Sequence, residues 1–251
     1  MDFRLYQTMG YTEGNRPDYR CPSCGSHLQD GELVSRNTAE TRRDKNDPDF
    51  EPEWVRETFR HDLTCSHPNC GEPIVLVGEA RVLEFNTAGE YGYEPEYAMY
   101  YEPRYFIPHL RMFEVPPNTP EKVRKSIDAS FNLFFVSSGS ALNEIRNAVE
   151  FLMDELGVAR HETDLLTGEV VRWDLDKRVG KMPNQGGPNL KQHIGAIKTL
   201  GNWGSHAVMT NRTDVLEAYK VLHYVLDEMY LRRGEVVKEL SKRIKDDDRG
   251  K

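Results

Sequence analysis

The sequence predicts an α+β protein in which a β-rich module, residues 1–116, is followed by an α-helical bundle, residues 117–251. The first part contains short runs of β-branched and aromatic residues broken by turn residues, whereas apolar residues recur at helical spacing in the second. The charge changes at the same place: residues 1–116 carry 12 Lys and Arg against 21 Asp and Glu, and residues 117–251 carry 21 against 20.

From its length and composition we expect a folded protein that is located in the cytoplasm. With 251 residues, 38% of them hydrophobic, the chain can bury a substantial core. No run of about 18 apolar residues is present, and the start "MDFRLYQTMGYTEG" has neither a basic cap nor an apolar stretch. We therefore expect no membrane partner, and the acidic first half does not favour non-specific binding to nucleic acid.

Three runs predict the strands of the first module. They are "ETFRHDLTC" (57–65), "PIVLVGEARVLEF" (73–85) and "YAMYYEPRYFIPHL" (97–110), all rich in aromatic and β-branched residues. The polar segment 36–53 before them is predicted to be a solvated loop.

The helical part is predicted to begin at Thr119, as N-cap, and Pro120, as first helical residue. Four helices follow from the apolar spacing: 123–135, 142–156, one from Leu190, and 216–229. The polar interval 158–189 connects the second helix to the third. A bundle of this kind can hold polar groups inward from facing helices.

Four cysteines form two short pairs, Cys21 and Cys24 in "CPSCG" and Cys65 and Cys70 in "CSHPNCG". Each pair spans a tight turn followed by glycine, which is the layout of two zinc knuckles. Disulfides are disfavoured in a reducing cytoplasm, and thiol catalysis seldom uses two paired turns. The spacing therefore predicts a structural Zn²⁺ held by the four cysteines in a zinc-ribbon-like module, although His61 and His67 lie near enough to replace one of them.

The late stretch "LGNWGSHA" (200–207) places Asn202 and His206 four residues apart. If the helix from Leu190 continues through it, the amide and the imidazole share one face. One interpretation is a helix end at which both side chains satisfy backbone groups; the other is a polar site.

The order of these motifs resembles the family catalogued as domain of unknown function 4145, which is grouped with the helical HEPN superfamily (higher eukaryote and prokaryote nucleotide-binding). The resemblance rests on the front cysteine pairs, on "YEPRYFIPHLRMFEVPPNTPEKVRKSIDASFNLF", on "ALNEIRNAVEFLMDELG" and on the late "GNWGSH". It implies an HEPN-like bundle for residues 117–251. Members of the family look like prokaryotic and phage-encoded accessory or defence proteins, which implies RNA binding and phage defence.

Active members of that superfamily are metal-independent ribonucleases whose motif is an arginine with a histidine four to six residues later. Here Gly201 stands directly before Asn202, so the motif lacks the expected arginine, and Arg146 or Arg212 would have to supply the cation. A consistent catalytic trio would use His206 as base, Asn202 as orienting donor and Arg146 to stabilise the phosphate charge.

Two functions follow from the sequence. The first is a nucleic-acid-directed accessory or defence protein with ribonuclease chemistry at Asn202 and His206. The second is a non-catalytic adaptor that docks a partner protein through its zinc module. In both, we expect a homodimer formed through the helical part that places two copies of the 202–206 motif near each other, because helical bundles often pair through helices.

Overall fold

The computed structural model describes residues 3–8, 10–89, 92–182, 190–205, 210–231 and 233–247. The chain divides into two compact units, Met1–Arg111 and Met112–Lys251. The first contains an antiparallel sheet and the second is mainly helical, so the predicted α+β class is confirmed. None of the described helices is long and apolar enough to cross a bilayer.

The sheet of the first unit has five strands in the order β1-β5-β4-β3-β2. Neighbouring strands run antiparallel, and β4 and β5 form one long hairpin. The strands are β1 (Tyr11–Thr12), β2 (Leu28–Asn37), β3 (Arg56–Cys65), β4 (Pro73–Gly89) and β5 (Gly92–Ile107).

Alternate residues of the strands point to one buried face of the sheet. Phe59, Leu63 and Leu76 are buried there, and the ring of Tyr11 stacks on Tyr101 of β5 with centroids 5.6 Å apart. Aromatic side chains thus supply much of the core of this sheet.

The predicted solvated loop at 36–53 is wrong in part, since it contains a short helix, α1 (Ala39–Asp44), and a 3₁₀ turn, Pro52–Trp54. Thr38 caps α1 by accepting from the backbone N–H of Thr41. The buried hydroxyl of Thr41 donates to the carbonyl of Arg56 at 2.8 Å. Hydrogen bonds of Thr38 and Thr41 thus hold this polar segment next to β3. The segment has no apolar periodicity from which the helix could be predicted.

The second unit contains six helices among the described residues, with one small hairpin. The helices are α2 (Glu121–Leu133), α3 (Ser138–Glu155), α4 (Leu175–Gly180), α5 (Leu190–Ser205), α6 (Arg212–Leu226) and α7 (Arg233–Asp247), and the hairpin strands are β6 (His161–Thr163) and β7 (Val170–Arg172). A π-helical turn, Asp227–Leu231, joins α6 to α7.

The core of this unit lies between α2, α3, α5 and α6, where Ile127, Ile145 and Leu222 are fully buried. One polar pair lies inside it: the hydroxyls of Ser130 and Tyr219 are 2.8 Å apart, and Ser130 donates to the carbonyl of Ala141. Burial raises the pKa of Tyr219 far above its usual range, so the phenol stays neutral.

The polar interval 158–189 contains the β6–β7 hairpin and α4, which the sequence does not predict. Arg178 of α4 is 1% exposed and fixes this region to α3. Its guanidinium donates to the carboxylate of Asp154 at 2.6 Å and to the carbonyls of Glu150 and Val158 at 3.1 and 3.0 Å. A buried cation is stable here because carboxylate and carbonyl oxygens surround it.

Candidate functional site

Two tight turns bring the four cysteines together. In the first, the N–H of Gly25 donates to the carbonyl of Cys21, and Gly25 has a φ of 75° that favours glycine. In the second, Gly71 has a φ of 56° and its N–H donates to His67. A hydrogen bond from Ser66 N to His27 O, 3.0 Å long, links the two loops.

The four sulfur atoms lie within 4.8 Å of one another. Cys21 Sγ is 3.8 Å from Cys70 Sγ, and Cys24 Sγ is 3.4 Å from Cys65 Sγ. A tetrahedral Zn²⁺ with Zn–S bonds of about 2.3 Å needs sulfurs about 3.8 Å apart, whereas a disulfide needs about 2.05 Å. The spacing therefore fits four ligands around one metal ion and does not fit two disulfides.

The thiols differ in their electrostatic surroundings. Burial raises the pKa of Cys65 to about 12, while hydrogen bonds to Ser26 lower the pKa of the exposed Cys24 to about 6. A divalent cation among the four sulfurs would favour the thiolate form of each. Metal affinity at such a site therefore falls as the pH is lowered.

The two histidines that the sequence places near the cysteines have other contacts. His61 Nδ1 is 3.1 Å from the hydroxyl of Tyr11, and its Nε2 is 3.4 Å from Asp30 Oδ1. His67 Nδ1 accepts from the N–H of Asn69. The metal-compatible cluster of the described residues contains the four cysteines alone.

The predicted catalytic trio is only partly visible. Asn202 lies on the backbone of α5, and His206 lies outside the described residues. Arg146 on α3 has its Nε 3.8 Å from Glu150 Oε1, and Arg212 at the start of α6 lies over the ring of Phe135 at 5.1 Å. The trio of Asn202, His206 and Arg146 stays a prediction.

The outer face of the sheet in the first unit carries an open groove of about 840 Å³ that the sequence analysis does not identify. One row of paired residues crosses four strands beneath it: Val34, Arg60, Val77 and Tyr105. Tyr105 is 47% exposed although it is a large aromatic residue. The period-two alternation of β3 was the available signal for Arg60, which lies next to the buried Phe59. Alternation along β5 gives no such signal, because a register shift opposite Val77 and Gly78 separates Tyr105 from the face of the buried Tyr101.

Val34, Val77 and Tyr105 are the apolar and aromatic members of this row, and charges of both signs lie among and beside them. Arg60 lies 2.6 Å from Asp62 and 3.7 Å from Glu32, and Arg104 lies 3.0 Å from Glu79. Carboxylates thus offset the charges of Arg60 and Arg104, while Arg36 adds a third guanidinium to the lining, so the groove carries mixed charge and not a cluster of unpaired arginines.

Comparison with known proteins gives matches to two family models. No curated protein and no solved structure matches the chain. A family model described as Domain of unknown function (DUF8608) matches residues 9–106, and one described as Domain of unknown function (DUF4145) matches residues 128–247. The resemblance to the second family is thus confirmed for the helical unit, while the sheet and its cysteines match the first.

Proposed function

We propose that the protein is a zinc-stabilised adaptor that docks a segment of a partner protein in the outer groove of its sheet. The single observation that carries this proposal is the groove itself, where Val34, Val77 and Tyr105 lie beside the ion-paired Arg60 and Arg104. Protein–protein interfaces usually combine apolar and aromatic side chains with polar and charged groups. Exposed aromatic side chains such as Tyr105 are frequent hot spots in them.

The zinc ion has a structural role in this proposal. Four cysteine ligands complete a tetrahedron and leave no position for water, so the metal supplies binding energy to the fold and no chemistry. Cys65 ends β3 and pairs with Leu28 of β2, so the ion joins two strands that form the groove. Ion-paired arginines favour a protein ligand over a nucleic acid.

Two tyrosines of β5 provide a matched test. Tyr105 lies in the groove and Tyr97 does not, yet their exposed fractions are 47% and 44%. Proteins that copurify with the tagged chain would be identified, expressed separately and titrated against each variant. We expect Tyr105→Asp to weaken binding at least about 30-fold, since a hot spot contributes about 2 kcal/mol or more, and Tyr97→Asp to bind as the native chain does. Equal binding by all three proteins would refute the groove as the docking site.

A nucleic-acid function is the second candidate, and the match of residues 128–247 to the DUF4145 family model favours it. In this alternative the helical unit follows an HEPN-like plan, the protein takes part in phage defence, and His206 and Asn202 cleave RNA without a metal. Purified protein and its His206→Ala variant would be incubated with total RNA and tRNA in chelator. RNA cleavage by the native chain but not by the variant would establish ribonuclease activity that depends on His206. The absence of cleavage by either protein would favour the adaptor function.

A further inference from the structure

The last helix carries an apolar stripe that covers no described part of its own chain. Val236, Val237, Leu240 and Ile244 of α7 are 50, 60, 40 and 66% exposed, and every side chain described between residues 236 and 246 is exposed. Val236, Leu240 and Ile244 recur at one-turn spacing and form the stripe on one face of the helix, while Val237 lies at its edge.

A helix of this length needs a packing partner. Isolated helices of about 15 residues are marginal in water, because most helical stability in proteins comes from burying an apolar face. α7 has 15 residues and follows the π-helical turn without burying its stripe. The face is therefore suited to an apolar surface outside the chain.

The stripe is symmetrical about Leu240, with Val236 and Ile244 four residues to either side. We propose that α7 packs antiparallel against α7 of a second copy of this chain, with Leu240 at the two-fold axis. In a two-fold interface, if one residue of the first copy contacts a second residue of its partner, then that second residue of the first copy contacts the first residue of the partner. This stripe meets that condition, because Val236 faces the partner's Ile244 and Leu240 faces the partner's Leu240.

The charges beside the stripe select the antiparallel arrangement. Glu239 and Arg243 lie one turn apart on the same edge of the stripe. In an antiparallel pair this edge faces itself, so each Glu239 lies beside the partner's Arg243. In a parallel pair the same edge would face Val237 and Ser241, and neither charge would meet an opposite charge on the other helix.

The size of the surface sets the expected affinity. α7 is about 22 Å long at 1.5 Å per residue, and one such helix pair buries less than the roughly 1,600 Å² of a standard interface. We expect a reversible dimer with a micromolar dissociation constant. The α7 pairing does not depend on the docking groove. It assigns a specific surface, the stripe of α7, to the expected homodimer.

Sedimentation of the full chain at micromolar concentrations tests the pairing. We expect a monomer–dimer equilibrium for the native protein, with the dissociation constant raised at least about 100-fold by Leu240→Asp, because two buried leucines are lost. Leu166→Asp is the matched control, since it makes the same change at another exposed leucine, on the β6–β7 hairpin. Circular dichroism checks that all three proteins are folded.

Charge reversal tests the orientation. Glu239→Arg and Arg243→Glu should each weaken the dimer, and the double variant should restore it, because the exchanged charges still meet across the two-fold axis. A monomeric native protein, or a dimer that Leu240→Asp leaves intact, would overturn the proposal. The effect of Tyr105→Asp on partner binding tests the groove separately, so its outcome does not depend on whether α7 forms a dimer.

Discussion

At the residue scale, burial decides how much an ion pair contributes to stability. Asp154 accepts from two arginines: Arg178, which is 1% exposed, and Arg160, whose side chain is 39% exposed. Together they hold the pKa of Asp154 below its usual range, with the hydrogen bond from Arg160 as the largest cause. The carboxylate is the same in both pairs, so the two arginines form a natural comparison.

We expect Arg178→Ala to lower the free energy of unfolding by about 3–5 kcal/mol, because it removes a buried cation from Asp154 and takes a donor from the buried carbonyl of Val158. Arg160→Ala removes a solvent-screened pair and should cost at most about 1 kcal/mol. Urea denaturation followed by circular dichroism measures both. Equal losses would show that Arg178 does not anchor α4 to α3 as described.

A second residue-scale prediction concerns His61, whose pKa burial lowers from 6.5 against the opposing effect of Asp30. The unfolded chain therefore binds a proton more readily than the folded one, and folding releases it. The contribution to stability is complete above pH 6.5 and is lost as the pH falls through the lower pKa of the folded state. His61→Gln should reduce this loss, which denaturation of both proteins between pH 8 and pH 5 would detect. Parallel pH curves would contradict the assignment.

At the scale of elements, the long and strongly patterned segments were predictable. The strands at 57–65 and 73–85 and the helices beginning near Val123 and Leu142 follow from period-two and helical spacing. Short polar elements were not predictable, because α1 and α4 have six residues each and depend on side-chain contacts with distant segments. Thr119 does not cap α2, since the N-cap is Pro120 and the buried Thr119 hydroxyl has no hydrogen-bond partner among the described residues.

Gly157 follows the C-cap residue Leu156 at the end of α3 and has a φ of 71°. We expect Gly157→Ala to lower the free energy of unfolding by about 1 kcal/mol, because alanine is strained at positive φ. Gly195→Ala makes the same change inside α5, where nothing lies within 4 Å of the added carbon. That control should raise stability by about 0.5–1 kcal/mol, and thermal unfolding of the two variants should shift in opposite directions. A shift in the same direction would contradict the helix-end assignment.

At the scale of the whole molecule, the metal-compatible cluster was the most predictable part of the candidate site and the groove the least. The spacing of Cys21, Cys24, Cys65 and Cys70 was enough to predict their cluster. Each pair lies on one tight turn, and the pairing of β2 with β3 leaves the two turns few alternative positions. The groove depends on four strands meeting in one register, which the residues around Val34 and Tyr105 do not reveal separately. The acidic first unit and the nearly neutral second unit are consistent with separate roles in docking and in self-association.

The central claim is that one zinc ion, held by four thiolates, stabilises the groove-bearing unit. X-ray absorption at the zinc edge, on protein purified without added metal, tests it most directly. We predict one zinc per chain with four sulfur neighbours at about 2.3 Å, lost in Cys65→Ser and retained in the control Ser23→Ala. Native protein that contains no zinc, or zinc with nitrogen or oxygen neighbours in place of sulfur, would contradict the account.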